Sequence, residues 1–394
     1  MFKATSFATT LSLAALVALG PLSTDMYLPA LPGMASEFNT DSGKIQLTLS
    51  LFMAGFAFAQ IVYGPLSDRF GRKPVLQFGL LLFVISSIGC ALSTNINSLI
   101  FFRFLQALGG SAGPVLGRAM VRDIHGPENS GKVLSHIASA MALAPAIAPI
   151  VGGFMYIAWG WASMFWLLTF LGILGSLLLH FKIAESSPEE FRHPKSMKTI
   201  ILNYKALFKN RKYLGYTLTC TMSFAGLFSY LSGSSFVIIE YFSISEVGYG
   251  LLFCLVVIGY ISGTLTGGKL SHSMGFKNLV ALGSFICLLS GCLMLLFTLL
   301  NLQHVTTIVI PMMFFMMGVG LVMPQSMAGA LTDYPHMAGS ASGMLGFIQM
   351  STAGSIGVIV GHGYNGTPLI MSAMIALMGL LTVIFYFLLI HPSE

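Results

Sequence analysis

Twelve apolar runs, each long enough to cross roughly 30 Å of hydrocarbon, succeed one another along the 394 residues. Hydropathy places the expected helices at about residues 6–30, 44–66, 75–94, 98–120, 133–158, 163–183, 213–240, 248–270, 278–299, 305–330, 341–363 and 368–390. Backbone N–H and C=O groups in lipid must be satisfied within the spanning segment, so runs of this length can only be helices. The expected fold class is therefore all-α integral membrane. A soluble globule is excluded, because 8% of the chain is charged against about a quarter in soluble domains.

The formal charge of +6 does not point to nucleic acid, since the cations are scattered through short loops between apolar spans. They orient the chain instead. Arg69, Arg72, Lys73, Arg122, Lys132, the basic run over 182–212, Lys269 and Lys277 fall on one face, and a Lys/Arg excess marks the cytoplasmic side. The opposite loops hold Lys44 among cations, and otherwise Glu37, Asp41, Glu246 and His304. Both termini are then expected in the cytoplasm. The first run continues past Asp25 into Tyr27-Leu28-Pro29 with no cleavage site, so it is read as a retained helix rather than a signal peptide. Cys90, Cys220, Cys254, Cys287 and Cys292 all lie in apolar runs without a C-x-x-C pair, so neither a disulfide framework nor a metal cluster is expected.

One polar connection, residues 185–212, divides the chain into 1–184 and 213–394, with six expected helices in each. Within it Met197, Ile200, Ile201, Tyr204, Leu207 and Phe208 recur at three-and-four spacing while Lys198, Lys205 and Lys209 fall elsewhere. That is the pattern of an amphipathic helix lying on an anionic leaflet, with a plain solvated linker as the alternative. The division is supported by an internal repeat. Gly64, Leu66, Gly71 and Lys73 recur 204 residues later as Gly268, Leu270, Gly275 and Lys277. Gly110, Pro114 and Asp123 recur 210 residues on as Gly320, Pro324 and Asp333. The repeat loses charge: Asp68, Arg69 and Arg72 become His272, Ser273 and Phe276.

The stretch Gly64-Pro65-Leu66-Ser67-Asp68-Arg69-Phe70-Gly71-Arg72-Lys73-Pro74 is too charged to lie in hydrocarbon and is expected to be a short loop turning on its glycines. It resembles the signature of the major facilitator superfamily, Gly-x-Leu-x-Asp-Arg-x-Gly-Arg-Lys. The resemblance implies two pseudo-symmetric six-helix bundles with a cavity between them. It also implies a gating latch built from Gly64, Asp68, Arg69, Gly71 and Arg72. Asp68 is expected to meet the N-terminal end of helix 11 near Gly339 to Gly343, and Arg72 to pair with Asp123.

Ionisable residues inside apolar spans are functional candidates by default. Asp25 lies deep in the first run, just ahead of Pro29 and Pro32, and reads either as a proton-binding carboxylate or as an interfacial cap. Arg103 stays charged at any reachable pH; it would tune or compete for a nearby carboxylate, or else lock its helix through backbone carbonyls. Arg103-Phe104-Leu105-Gln106-Ala107 is similar to the Arg-x-x-Gln-Gly run of proton-coupled members. Pro145, Pro149, Gly152 and Gly153 resemble the antiporter motif Gly-Pro-x-x-Gly-Gly, with Ala148 replacing a glycine. Glu240 reads as an interface residue, with a second proton site as the alternative.

The run Asp25-Met26-Tyr27-Leu28-Pro29-Ala30-Leu31-Pro32, taken with these motifs, resembles the bicyclomycin and chloramphenicol resistance branch of the drug:proton antiporters. That resemblance implies a monomeric bacterial inner-membrane exporter of small lipophilic drugs. It would need no cofactor beyond the proton motive force and no metal, with Asp25, Tyr27, Arg103 and Gln106 around the proton and substrate cavity. Proton-coupled metabolite uptake by the same fold is the competing reading. A receptor or scaffold is disfavoured because no loop is long enough for a binding domain, and an enzyme because no nucleophile–base set is visible.

Overall fold

The protein is described by a computed structural model over residues 7–186, 197–334 and 337–391. Eleven helices in it are long and apolar enough to span a membrane, and Ala144–Trp159 is a shorter twelfth among the described residues. We number them α1 Phe7–Asp25, α2 Ser42–Phe70, α3 Arg72–Ala91, α4 Ile96–Val121, α5 Ala144–Trp159 and α6 Ala162–Lys182. The second half holds α7 Arg211–Ser235, α8 Glu246–Ser271, α9 Ser273–Leu299, α10 Thr306–Leu331, α11 Ala338–Gly363 and α12 Leu369–Phe385. Expectations resting on the side chains of Arg122, Lys132, Met197, Lys198, Ile200, Ile201 and His272 lie outside the described residues.

Two boundaries are corrected. The first helix stops at Asp25 rather than near residue 30, and the chain restarts as a 3-10 turn at Leu28–Ala30 and a short helix at Leu31–Glu37. Pro29 and Pro32 lack the N–H that a continuing helix needs, but each suits the first turn of a new one. The charged stretch after Gly64 is not a loop: α2 continues through Pro65 to Phe70, and the reversal is concentrated in Gly71, at φ 94° and ψ 158°. A side chain at that φ would be strained, so glycine alone supplies the turn. Gly275, its partner in the repeat, adopts φ 74° and ψ 164° between α8 and α9.

The repeat extends further than its letters. Lys73 Nζ donates to the His180 carbonyl at the end of α6 (2.9 Å), and Lys277 Nζ donates to the His391 carbonyl just beyond α12 (3.2 Å). In each half the lysine after the glycine turn caps the last carbonyls of the sixth helix, where a cation opposes the negative end of the dipole. Charge lost elsewhere is re-partnered: with Phe276 in place of an arginine, Asp333 turns to Lys212 at the start of α7 (3.3 Å).

The larger hydrophobic core runs through both halves. They meet along two seams, α2 against α11 and α5 against α8. A smaller core at the basic end of the second half takes in Leu207 of the linker helix Met197–Lys209 beside Tyr213, Tyr216 and Ala341. Leu207 is thus spent on protein, while Leu202 and Phe208 of the same helix stay exposed.

Candidate functional site

The site begins with Arg103, which α4 carries into the middle of the first half. The guanidinium is fully buried. Its Nη1 donates to the Ser23 carbonyl at 3.0 Å and to Gln106 Oε1 at 2.6 Å, and Gln106 Nε2 passes the chain on to Ser87 Oγ at 2.8 Å. Aromatic faces supply the rest of its surroundings: Phe52 of α2 at 4.3 Å, Tyr27 at 4.5 Å and Phe165 of α6 at 5.8 Å from ring centroid to guanidinium carbon. A desolvated cation over such faces gains about 2 kcal/mol per good contact. The Tyr27 hydroxyl is engaged by Thr48 of α2. Arg103 therefore ties together α1, α2, α4 and α6, and in particular holds the last turn of α1.

Asp25 closes that turn but does not join the cluster. It lies two residues beyond Ser23, whose backbone carbonyl Arg103 holds. Among the described residues no ion pair reaches Arg103, and Asp25 makes neither a hydrogen bond nor an ion pair. Of the two readings left open for Arg103, the backbone-carbonyl contact is the one present. Asp25 is 6% exposed.

The glycine pair of α5 explains why α1 and α8 can approach so closely. A Cβ on Gly152 would overlap the Met26 carbonyl, and one on Gly153 would come within 2.8 Å of the Glu246 carbonyl oxygen. Gly152 thus seats α5 on its own half and Gly153 seats it on the other. Pro149 and Ile150, just before the pair, press on Gly250 of α8. Pro145 is half-buried at the start of this segment. On the other seam, Gln46 Nε2 of α2 donates to the Ser232 carbonyl of α7, and Ser42 Oγ to the Gly361 carbonyl of α11 (3.4 Å). The halves are therefore closed at the end opposite the basic face. Glu240, in the π-helical turn Phe236–Tyr241 that ends α7, is exposed at that closed end.

At the basic face they part around a cavity of about 550 Å³. Gln60, Gly64, Asp68, Arg72, Arg118 and Asp123 line one side, and Tyr204, Leu331 and residues 338–340, 342 and 343 the other. Arg72 is the hub: Nη1 pairs with Asp68 at 2.8 Å and also reaches Ser67 Oγ, while Nε pairs with Asp123 at 3.3 Å. The expected Arg72–Asp123 pair is present. Asp68 lies across the cavity from Gly339 and Gly343 and is held by Arg72. Arg69 stays outside, exposed and 5.1 Å over the Phe70 ring.

The sequence reading missed Glu185. Its carboxylate oxygens accept the backbone N–H groups of Arg72 (3.0 Å) and Lys73 (3.1 Å) at the start of α3, where an anion meets the positive end of the helix dipole. A signal was available: Glu185 is the first acidic residue after the sixth span, at the entrance of an otherwise basic connection.

Residues 13–358 match the Major Facilitator Superfamily. The chain is 33% identical to an uncharacterised MFS-type transporter, YdgK, of Bacillus subtilis, over 88% of this chain and 86% of that one. It is 32% identical to a chloramphenicol resistance protein of Pseudomonas aeruginosa, over 90% and 83%. It is 26% identical to multidrug resistance protein D of Escherichia coli, over 95% and 93%. Among solved structures, the E. coli xylose transporter XylE in a partially occluded inward-open conformation superposes with a TM-score of 0.74 at 15% identity, covering 97% of each chain. A D-xylose–proton symporter gives 0.73 at 15%, covering 98% of each. Signature turn, duplicated halves and full-length similarity agree: the chain belongs to the Major Facilitator Superfamily, on the branch that includes drug-resistance transporters.

Proposed function

We propose that this transporter exports small lipophilic drugs from the bacterial cytoplasm in exchange for protons, with Asp25 as the proton carrier. The observation that carries the reading is a carboxyl group buried where the two halves close, with no hydrogen bond or ion pair among the described residues. An ionised carboxylate in such a place is costly unless paired, and a bound proton removes that cost. A proton taken up from the outer side is therefore kept while Asp25 is shut away from water, and access to water from the cytoplasmic side favours its release. The names of relatives support drug as the cargo, and the Lys/Arg excess supports assigning the basic face, with both termini, to the cytoplasm.

In the cycle, Asp25 takes a proton from the outer side as drug departs. The halves then rock to the arrangement seen here, closed outside and parted around the basic-face cavity. Proton release toward the cytoplasm restores affinity for drug. Arg103 positions this step by holding the Ser23 carbonyl, and hence the last turn of α1; Tyr27 and Gln106 hold Arg103. The Arg72–Asp68–Asp123 cluster supports closure of the inner side, with Asp68 released toward the start of α11 when the cavity collapses. Pro149, Gly152 and Gly153 supply the outer seam. One proton entering down 100 mV and one pH unit gives roughly 3.7 kcal/mol, enough for an outward gradient of a few hundred fold for a neutral drug at one-to-one exchange. We take the working unit to be the monomer, with the proton gradient in place of a cofactor.

Everted membrane vesicles test both direction and carrier. Energised vesicles with the wild type should accumulate labelled chloramphenicol, and Asp25→Asn should abolish accumulation while leaving membrane levels unchanged. Accumulation undiminished in the Asn variant would remove Asp25 from its role. Loss of pre-loaded metabolite or drug on energisation would instead indicate uptake in the cell.

A further inference from the structure

A further cavity at the basic face belongs to the second half alone, and nothing in the transport cycle uses it. It measures about 630 Å³ and lies where Lys212 of α7, the turn Met274–Asn278, Thr332 beyond α10 and His391 beyond α12 come together. Tyr216 and Tyr386 supply aromatic walls, and no acidic residue is among the described residues that line it.

The internal repeat shows what sets this place apart. In the first half Arg72 binds Asp68 and Asp123, and the Glu185 carboxylate holds the N–H groups of Arg72 and Lys73. Charge there is balanced within the chain. In the second half Phe276 stands where the arginine would be, with its ring exposed, and Asp333 is taken by Lys212 at 3.3 Å. Lys277, anchored on the His391 carbonyl, and Arg211, anchored on the Leu388 carbonyl at 2.6 Å, add to the positive charge of this corner.

An apolar track leads away from the cavity along the spanning surface. Phe387, in the π-helical turn Tyr386–Ile390 that follows α12, has its ring 5.8 Å from His391 and 5.8 Å from Phe285 of α9. Phe276, Phe285, Phe387 and Leu388 are all exposed. A cationic pocket continuous with an apolar strip suits an amphiphile, with its head in the cavity and its chains on the strip.

We infer that this cavity holds the phosphate head of an anionic phospholipid from the leaflet at the basic face, with the acyl chains lying along α9 and α12. Lysine meets phosphate as a point charge, and basic pockets between spanning helices accept such heads. The lipid then bridges the ends of α7, α9, α10 and α12. It brings from the membrane the anion that Glu185 brings from the chain in the first half. The site is independent of the cargo and of the proton carrier.

The test uses the full-length protein, purified in detergent, stripped of lipid and followed by native mass spectrometry. It is titrated with dioleoylphosphatidylglycerol and, for comparison, with zwitterionic dioleoylphosphatidylcholine of the same chains. The wild type should bind its first phosphatidylglycerol about tenfold more tightly than phosphatidylcholine, since each lysine near an anionic head is worth several-fold in affinity. Lys212→Gln combined with Lys277→Gln should remove that preference. Lys73→Gln breaks the equivalent contact to a sixth-helix carbonyl in the first half and should keep the preference, which separates lipid binding from helix capping. Phe276→Glu leaves both lysines in place and sets a negative charge at the cavity, so it should also remove the preference; it serves alone if the double variant does not fold. Equal binding of the two lipids by the wild type overturns the proposal. So does a preference that survives in the double variant or in Phe276→Glu, or that is lost equally in Lys73→Gln. Displacement of the lipid by millimolar inorganic phosphate would mark a free-anion site and overturn the lipid assignment.

Discussion

The two neighbouring glycines of α5 should respond differently to the same added methyl group. At Gly153 the new Cβ would stand 2.8 Å from the Glu246 carbonyl oxygen of the opposite half, about 0.5 Å inside an ordinary carbon–oxygen contact of roughly 3.3 Å. Easing α8 away relieves it, and α8 belongs to the other moving body. Overpacking on this scale costs about 1 kcal/mol, all of it charged to the outer-closed state. A bias of that size changes the ratio of closed to open molecules about fivefold. At Gly152 the Cβ would overlap the Met26 carbonyl within the same half, where no rocking motion gives relief. Gly153→Ala should therefore fold normally, with cysteines introduced at the outer end labelled about fivefold faster. Gly152→Ala should lower the unfolding temperature in detergent in every conformation. Equal labelling of wild type and Gly153→Ala, or an unchanged unfolding temperature for Gly152→Ala, would refute this division of labour.

Removing Arg72 unties Asp68, Asp123 and Ser67 at once, so Arg72→Ala should slow drug turnover about fivefold or more with affinity nearly unchanged. Arg72→Lys should not restore it, because an ammonium cannot serve three acceptors in a fixed fork; kinetics in proteoliposomes decide both. Glu185→Ala strips the anion from the start of α3 and should cost about 1–2 kcal/mol, with Glu185→Gln losing less, as seen in thermal unfolding. Lys73→Ala and Lys277→Ala each remove one exposed bond to a sixth-helix carbonyl. Each should cost about 0.5–1 kcal/mol, and the double variant should show their sum, since the sites lie in different halves.

Spans, repeat and fold class were legible because each rests on composition or on short-range pattern. Hydrocarbon demands long apolar helices, and a duplicated turn keeps its glycine wherever φ must be positive, as Gly71 and Gly275 do. The order of residues along α1 also marked Asp25, since a carboxylate in an apolar run stands out against its neighbours. What the letters do not carry is direction around a helix end and contact between distant segments. Asp25 and Arg103 read as natural partners, yet the arginine is held by the Ser23 backbone carbonyl and Gln106, with no ion pair to Asp25. Glu185 caps α3 from more than a hundred residues away. Local hydrophobicity determined that the chain would cross a membrane as helices, and the repeat that they would fall into two halves; tertiary packing, close enough at Gly152 and Gly153 to exclude a methyl group, decided which side chains face one another across them.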